Sequence, residues 1–193
     1  MVDVQPTSDP LAQRLAHDLD GAFEEFLTAH VSLVYGLALR ATGEPAAAQD
    51  LAQDAFVRAY RALAAYPPER IRGLVLRPWL ARITINLARN RARAARARPR
   101  TAPLEAAAGV PDGTVRPEAV VIEAEAAAAW AARLAALPRH YRLAVELRHV
   151  HGLGYAEIAQ ALDRPINTTK VHVHRGLALL RAAYEQETQE PRP

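Results

Sequence analysis

The sequence predicts an all-α protein: two small helical domains joined by a flexible Pro/Ala-rich linker, the C-terminal one a helix-turn-helix. Three observations carry this. Alanine, leucine and arginine dominate while aromatic residues make up only 6% of the chain, a balance that favours helix over strand. At 193 residues and 50% hydrophobic content, the chain can bury one medium core or two small ones. Between the helical patterns, residues 98–117 hold four prolines, two glycines and no apolar periodicity, which reads as a linker.

The elements follow in order. Residues 1–20 read as a polar N-terminal tail, and a first domain spans 21–97. Within it Phe23 to Thr42 is expected as a helix, with Phe23, Phe26, Leu27, Val31, Val34 and Leu37 or Ala38 at helical spacing. Gly43 ends it, and Glu44-Pro45 opens a second helix to about Ala65 whose buried stripe is Ala52, Phe56, Ala59 and Leu63. The opposite face carries Asp50, Gln53, Asp54 and Arg61. Asp54 and Arg58 are four apart, acid first, a pairing that supports a helix by about 0.3 kcal/mol. Asp50, Gln53 and Asp54 are left without a local reason. Tyr66-Pro67-Pro68 breaks the helix, a loop with Gly73 follows, and a third helix starts at Pro78-Trp79 and runs to about Ala97.

The linker spans about 25 Å on average if flexible, and at most about 65 Å when fully extended. That reach lets two domains engage separate DNA elements. A second domain covers residues 118–187, with Val121, Ala128, Trp130, Leu134 and Leu137 as candidate core, and 188–193 form a C-terminal tail. In this domain Tyr155 to Leu162 reads as the first helix of a helix-turn-helix, with Ile158 and Leu162 inward and Ala159 small. Asp163-Arg164-Pro165 forms the turn, and Asn167 or Thr168 can cap the recognition helix. Val173, Leu177 and Leu180 form its buried face. Thr168, Lys170, Val171, His172 and Arg175 are left outward, where Lys170 and Arg175 can meet phosphates or guanine edges.

Charge is strongly partitioned. Residues 1–69 carry ten acids against four arginines, 70–104 carry ten arginines and no acid, and the remainder carries eleven acids against ten bases. The blocks therefore hold −6, +10 and −1, which gives the net +3. The middle block attracts phosphate through counterion release, whereas the acidic first third suits a basic protein surface.

Several function classes are disfavoured. The absence of cysteine removes disulfides, thiolate zinc sites and a cysteine nucleophile. The pairs His149/His151 and His172/His174 diverge by about 200° on a helix, so no metal site is expected. No Ser/His/Asp arrangement or Gly-rich phosphate loop is present, and neither an enzyme nor a cofactor is expected. Met1 to Asp20 has no basic start followed by an apolar run, and nowhere do 18 apolar residues follow one another. A cytoplasmic protein without membrane insertion is the expectation.

Three stretches then resemble a known family. They are Ala48 to Tyr60 (AQDLAQDAFVRAY); Trp79-Leu80-Ala81-Arg82-Ile83 with Asn86 seven beyond Trp79; and Leu137-Pro138 through Gly154-Tyr155-Ala156-Glu157-Ile158-Ala159 to Thr168-Thr169-Lys170 and His174-Arg175. In that order they resemble the bacterial RNA polymerase sigma factors of the sigma-70 class, specifically the compact extracytoplasmic-function (ECF) group, over about residues 23–185 apart from the linker.

The resemblance implies that the first stretch docks on the clamp helices of the polymerase largest subunit, through Asp50, Gln53, Asp54 and Arg58. It implies that the second opens the minus-10 promoter element, drawing a non-template base into a pocket rimmed by Tyr66 to Arg77, with Trp79, Arg82, Asn86, Arg89 and Arg93 along the strand. Trp79 has two readings, a base-stacking platform or, the preferred one, a core anchor. The helix-turn-helix is then the minus-35 reader through Thr168, Lys170, His172 and Arg175. Core RNA polymerase, promoter DNA and an anti-sigma factor are the implied partners. The alternative is a stand-alone helix-turn-helix regulator. Asn90 stands where Asp is common, Val171-His172 replaces Ser-Arg, and Asn167 replaces a glycine, so the resemblance carries minus-35 binding in kind but not its sequence preference.

Overall fold

The computed structural model describes residues 9–97 and 129–189, and these form helices with no strand among them. They divide into two units. One comprises the described residues up to Ala97 together with Leu153–Ile166, and the other the described residues of 98–152 together with those from Asn167 onward.

The first unit begins with α1, Pro10–His17, inside the stretch expected as a tail. Asp9 caps it, its Oδ1 accepting from the Leu11 amide at 3.0 Å, and Pro10 supplies a preset first-turn φ. Leu11, Ala12 and Leu15 are buried in the core. The signal was Asp-Pro followed by leucines at i and i+4, too short a stripe to separate a helix from a tail. Asp18 ends α1 and caps α2, Leu19–Thr42, through a 3.0 Å bond from the Gly21 amide. A Cβ at Gly21 would lie 2.2 Å from that carboxylate. Helix α2 stops at Gly43, whose φ of 75° suits glycine and lets its N–H reach the Leu39 carbonyl at 2.8 Å.

Helix α2 buries Ala22, Phe26, His30, Leu33, Val34, Leu37 and Ala38. Val31, expected in this stripe, is 51% exposed. A polar residue, His30, takes the inward position beside it, and that hid the true centre of the face. The His30 ring lies 4.7 Å from that of Phe26, and its Nδ1–H donates to the Phe26 carbonyl at 2.9 Å. Burial pushes the His30 pKa below its ordinary 6.5. The bond to Phe26 opposes that shift, the Arg77 charge adds to it, and Asp9 opposes it.

Helix α3, Pro45–Ala64, starts with Glu44 as cap, its side chain accepting from the Ala47 amide at 3.2 Å. It buries the expected Ala52, Phe56, Ala59 and Leu63, and also Ala48, Leu51 and Ala55. A short helix, α4 (Pro68–Arg72), occupies part of the stretch expected as loop, anchored by buried Ile71. Helix α5, Leu76–Ala97, buries Leu76, Leu80, Ala81, Ile85 and Ala88. Removing such a Leu, Ile or Phe from water stabilises by about 1.5–3 kcal/mol, so α1, α2, α3 and α5 hold one another and fix the outward faces of α3 and α5.

In the second unit, residues 129–136 are helical (α6). Helix α7 spans Arg139–Val145 and passes into a π-helical turn, Glu146–Val150, with Glu146 buried. Leu134, Leu137, Val145 and Leu180 form a small core, with Leu177 against it. Trp130, expected in the core, is 36% exposed. The expected core residues Val121 and Ala128 and the expected linker lie outside the described residues.

Helix α8 is Tyr155–Leu162, the span its apolar spacing predicts. Glu157 accepts from the Gly154 amide at 2.7 Å, and Asp163 ends the helix at φ 55°. Ile158 is buried and Leu162 half-buried. Helix α9, Ile166–Gln189, starts earlier than its polar residues suggested. Pro165, with its fixed φ and no N–H, directly precedes it, so Asn167 and Thr168 lie within the first turn instead of capping it. Val173 and Leu180 are buried and Leu177 half-buried, as their spacing requires.

Candidate nucleic-acid interface

The first candidate surface is the outward face of α3. Asp50, Gln53 and Asp54 are all exposed there, for the reason their sequence positions give: Asp50 falls between the inward Ala48 and Leu51, and Gln53 and Asp54 between the inward Leu51/Ala52 and Ala55/Phe56. The expected local partner of Asp54 was Arg58, but the carboxylate bonds Arg91 of α5, Nη2 to Oδ2 at 2.5 Å. The same Nη2 lies 3.4 Å from the Asp50 carbonyl. An exposed i,i+4 pair is worth only a few tenths of a kcal/mol, so a neighbouring helix with a well-placed guanidinium displaces it. Arg91 was not singled out from the sequence; only its place in the arginine run hinted at it.

Arg58 instead joins residues of α5. It lines a groove of about 350 Å³ with Ile83, Asn86, Arg89, Asn90 and Arg93. Positions 86, 89, 90 and 93 follow one helix face at i, i+3, i+4 and i+7, and Arg58 reaches them from α3. The arrangement concentrates three guanidinium groups and two amides with no carboxylate in the lining, which suits an anionic ligand.

The remaining α5 candidates are placed differently. Arg82 is paired with Asp163 at 3.3 Å and does not line the groove. Trp79 is half-buried and packs against the first unit's core, its ring edge-on to Tyr66 with centroids 6.3 Å apart. Arg70 lies over the other aromatic of this pair, 3.7 Å from the Tyr66 centroid. Core anchoring, the preferred reading of Trp79, agrees with that packing.

On α9, Lys170, Val171 and Arg175 are exposed and Thr168 is half-buried. His172, expected outward, is half-buried with its ring 5.0 Å from His140 and 5.5 Å from Tyr141. The aromatic neighbours on α7 could not be anticipated from the local pattern of α9. Among the described residues no group of three or more His, Asp or Glu side chains is arranged to hold a metal ion, and no helix is long and apolar enough to cross a membrane.

Comparison with known proteins identifies the family. Residues 26–98 match Sigma-70 region 2 and residues 128–180 match Sigma-70, region 4, which together define the chain as a two-region factor of the sigma-70 class. The chain is 33% identical over 195 residues to the ECF RNA polymerase sigma factor SigE of Mycolicibacterium smegmatis, covering 96% of this chain and 73% of that protein. It is 31% identical to the ECF RNA polymerase sigma factor SigW of Bacillus subtilis, over 83% of this chain and 87% of that one. In fold it is similar to CnrH, solved in complex with the cytosolic domain of CnrY, at a TM-score of 0.64 and 24% identity over 91% of this chain and 96% of that chain. It is also similar to the sigma factor RpoE of Bartonella quintana, solved with the anti-sigma factor NepR, at 0.61 and 21% over 84% and 96%. The chain belongs to the ECF group of the sigma-70 family, and is an alternative sigma factor.

Proposed function

We propose that the chain binds core RNA polymerase through the acidic face of α3, with Asp50, Gln53 and Asp54, and directs it to promoters through two DNA-binding surfaces. Asn86, Arg89 and Arg93 of α5 follow the opened minus-10 strand, and Thr168, Lys170 and Arg175 of α9 meet the minus-35 duplex. Residues 21–97 act as the first functional domain, 118–187 as the second, and 98–117 as the tether. The observation that carries this reading is the opposite character of two outward surfaces of one unit: carboxylates exposed on α3, and a carboxylate-free arginine groove beside them.

The free energy for strand opening comes from binding the exposed single strand, and the protein catalyses no reaction of its own. Base contacts supply the choice of promoter, while the arginines supply affinity that does not depend on sequence. It acts in the cytoplasm. RpoE of Bartonella quintana was solved with an anti-sigma factor, and a partner of that class, masking the polymerase-binding face, fits the exposed acids here.

The test is promoter-directed transcription by purified core polymerase with and without this chain. Initiation at defined sites only in its presence supports the proposal. Tight, specific duplex binding without polymerase and no stimulated initiation would instead indicate a stand-alone helix-turn-helix regulator.

A further inference from the structure

We infer that Arg58 is a nucleic-acid contact, the third guanidinium of a phosphate-binding groove shared between α3 and α5. This rests on the proposed minus-10 role of α5 and moves Arg58 away from the polymerase-binding face to which the family resemblance assigned it.

Three observations carry the assignment. The carboxylate four residues before Arg58 is held by Arg91, so Asp54 gives Arg58 no structural task. Arg58 lines the groove together with Arg89 and Arg93, and among the described residues none of these three has an ion-pair or hydrogen-bond partner. The groove's other polar residues, Asn86 and Asn90, are neutral, so nothing in the lining balances three positive charges. Mutual repulsion among exposed guanidinium groups is tolerable in water and becomes favourable once an anion sits between them.

The geometry selects the kind of anion. Arg89 and Arg93 are one turn apart on α5, while Arg58 approaches from another helix, so a phosphate in the groove is contacted from two sides. The lining is open and largely polar, with Ile83 as its single apolar residue. A base-stacking pocket would need an aromatic platform, and none lines this groove. The ligand class is therefore a backbone phosphodiester of the separated strand, and Arg58 adds affinity without reading sequence.

The test uses the full chain bound to core polymerase. Two quantities are measured for wild type, Arg58→Ala, Arg58→Lys and the double variant Arg89→Ala/Arg93→Ala: affinity for core polymerase, and affinity of the holoenzyme for a single-stranded minus-10 oligonucleotide across a salt series. Arg58→Ala is expected to leave polymerase affinity within twofold, to weaken strand binding five- to tenfold, and to lower the salt slope by about 0.7, the value for one lost single-strand phosphate contact. Arg58→Lys should retain the slope and part of the affinity, because it keeps the charge and loses the fork.

A tenfold loss of polymerase affinity with unchanged strand binding would return Arg58 to the polymerase face. No change in either quantity would make it a solvated surface residue. If Arg89→Ala/Arg93→Ala also leaves strand binding intact, the minus-10 role of α5 fails as a whole; if only Arg58→Ala is silent, the third-guanidinium assignment fails alone.

Discussion

Arg91 and Asp54, 37 residues apart in sequence, meet side chain to side chain at 2.5 Å and join the acidic face of α3 to the basic helix α5. Both partners remain substantially exposed, at 41% and 56%, so the pair is worth at most about 1 kcal/mol to stability. Asp54 therefore stays accessible to an incoming basic surface that competes with Arg91.

Reversing its charge tests that competition. Asp54→Arg is expected to weaken core polymerase binding at least tenfold, about 1.4 kcal/mol, by adding a second cation beside Arg91 on a face proposed to meet cations. Binding of the full chain to minus-35 duplex should be unaffected. Arg91→Ala should leave polymerase affinity equal or higher, since the carboxylate is released. Equal losses in polymerase and duplex binding would contradict the proposed division of labour.

The arginine groove makes a salt-dependence prediction. Arg89→Ala/Arg93→Ala removes two proposed phosphate contacts, so the slope of open-complex affinity against salt concentration should fall by about 1.4, at about 0.7 per single-strand phosphate. Affinity should drop most at low salt, where counterion release contributes most. A slope unchanged from wild type would place the strand elsewhere.

The helical class, the spans of α3 and α8 and the turn at Gly43 were all legible, because each rests on a local rule: apolar period, cap, proline or glycine. So was the exposure of Asp50, Gln53 and Asp54, which follows from the inward stripe of the same helix. Helix α1 was not, since eight residues carry too few apolar positions to declare a face, and only the core they enter stabilises them. The true partners of Asp54, Arg82 and His172 were hidden for another reason. Each is met by a residue distant in sequence, Arg91, Asp163 and Tyr141, and nothing in a local pattern encodes a tertiary neighbour.

Gly176 is one such concealed tertiary requirement. A Cβ there would lie 2.5 Å from Val145 Cγ2 and 3.3 Å from Tyr141 Cβ, so α9 crosses α7 with no room for a methyl group. Alanine is intrinsically favoured over glycine in a helix by about 1 kcal/mol, but overpacking costs about 1–3 kcal/mol, and the crowding of a buried, branched valine decides the sign. Gly176→Ala should destabilise by about 1 kcal/mol in chemical denaturation. Combining it with Val145→Ala should cost less than the two single losses added together, because the second change removes the clashing methyl. Simple additivity would show that the two sites do not touch.

His30 sets an acid limit on the first unit. Its pKa is lowered in the fold mainly by burial, with Arg77 acting in the same sense and the Phe26 carbonyl and Asp9 opposing. A base whose folded pKa lies below its unfolded 6.5 takes up its proton more readily when unfolded. Its contribution is therefore fully present above pH 6.5 and is progressively lost as pH falls below 6.5 towards and through the folded value. Thermal melts at pH 7.5 and 5.5 should show a decrease in Tm for the wild type that is smaller in His30→Phe, which keeps a ring beside Phe26 but cannot be protonated. The variant's Tm at pH 7.5 supplies the packing cost of the substitution, so the comparison rests on the change with pH alone. The same decrease in both proteins would assign the acid sensitivity to other groups and remove His30 from the account.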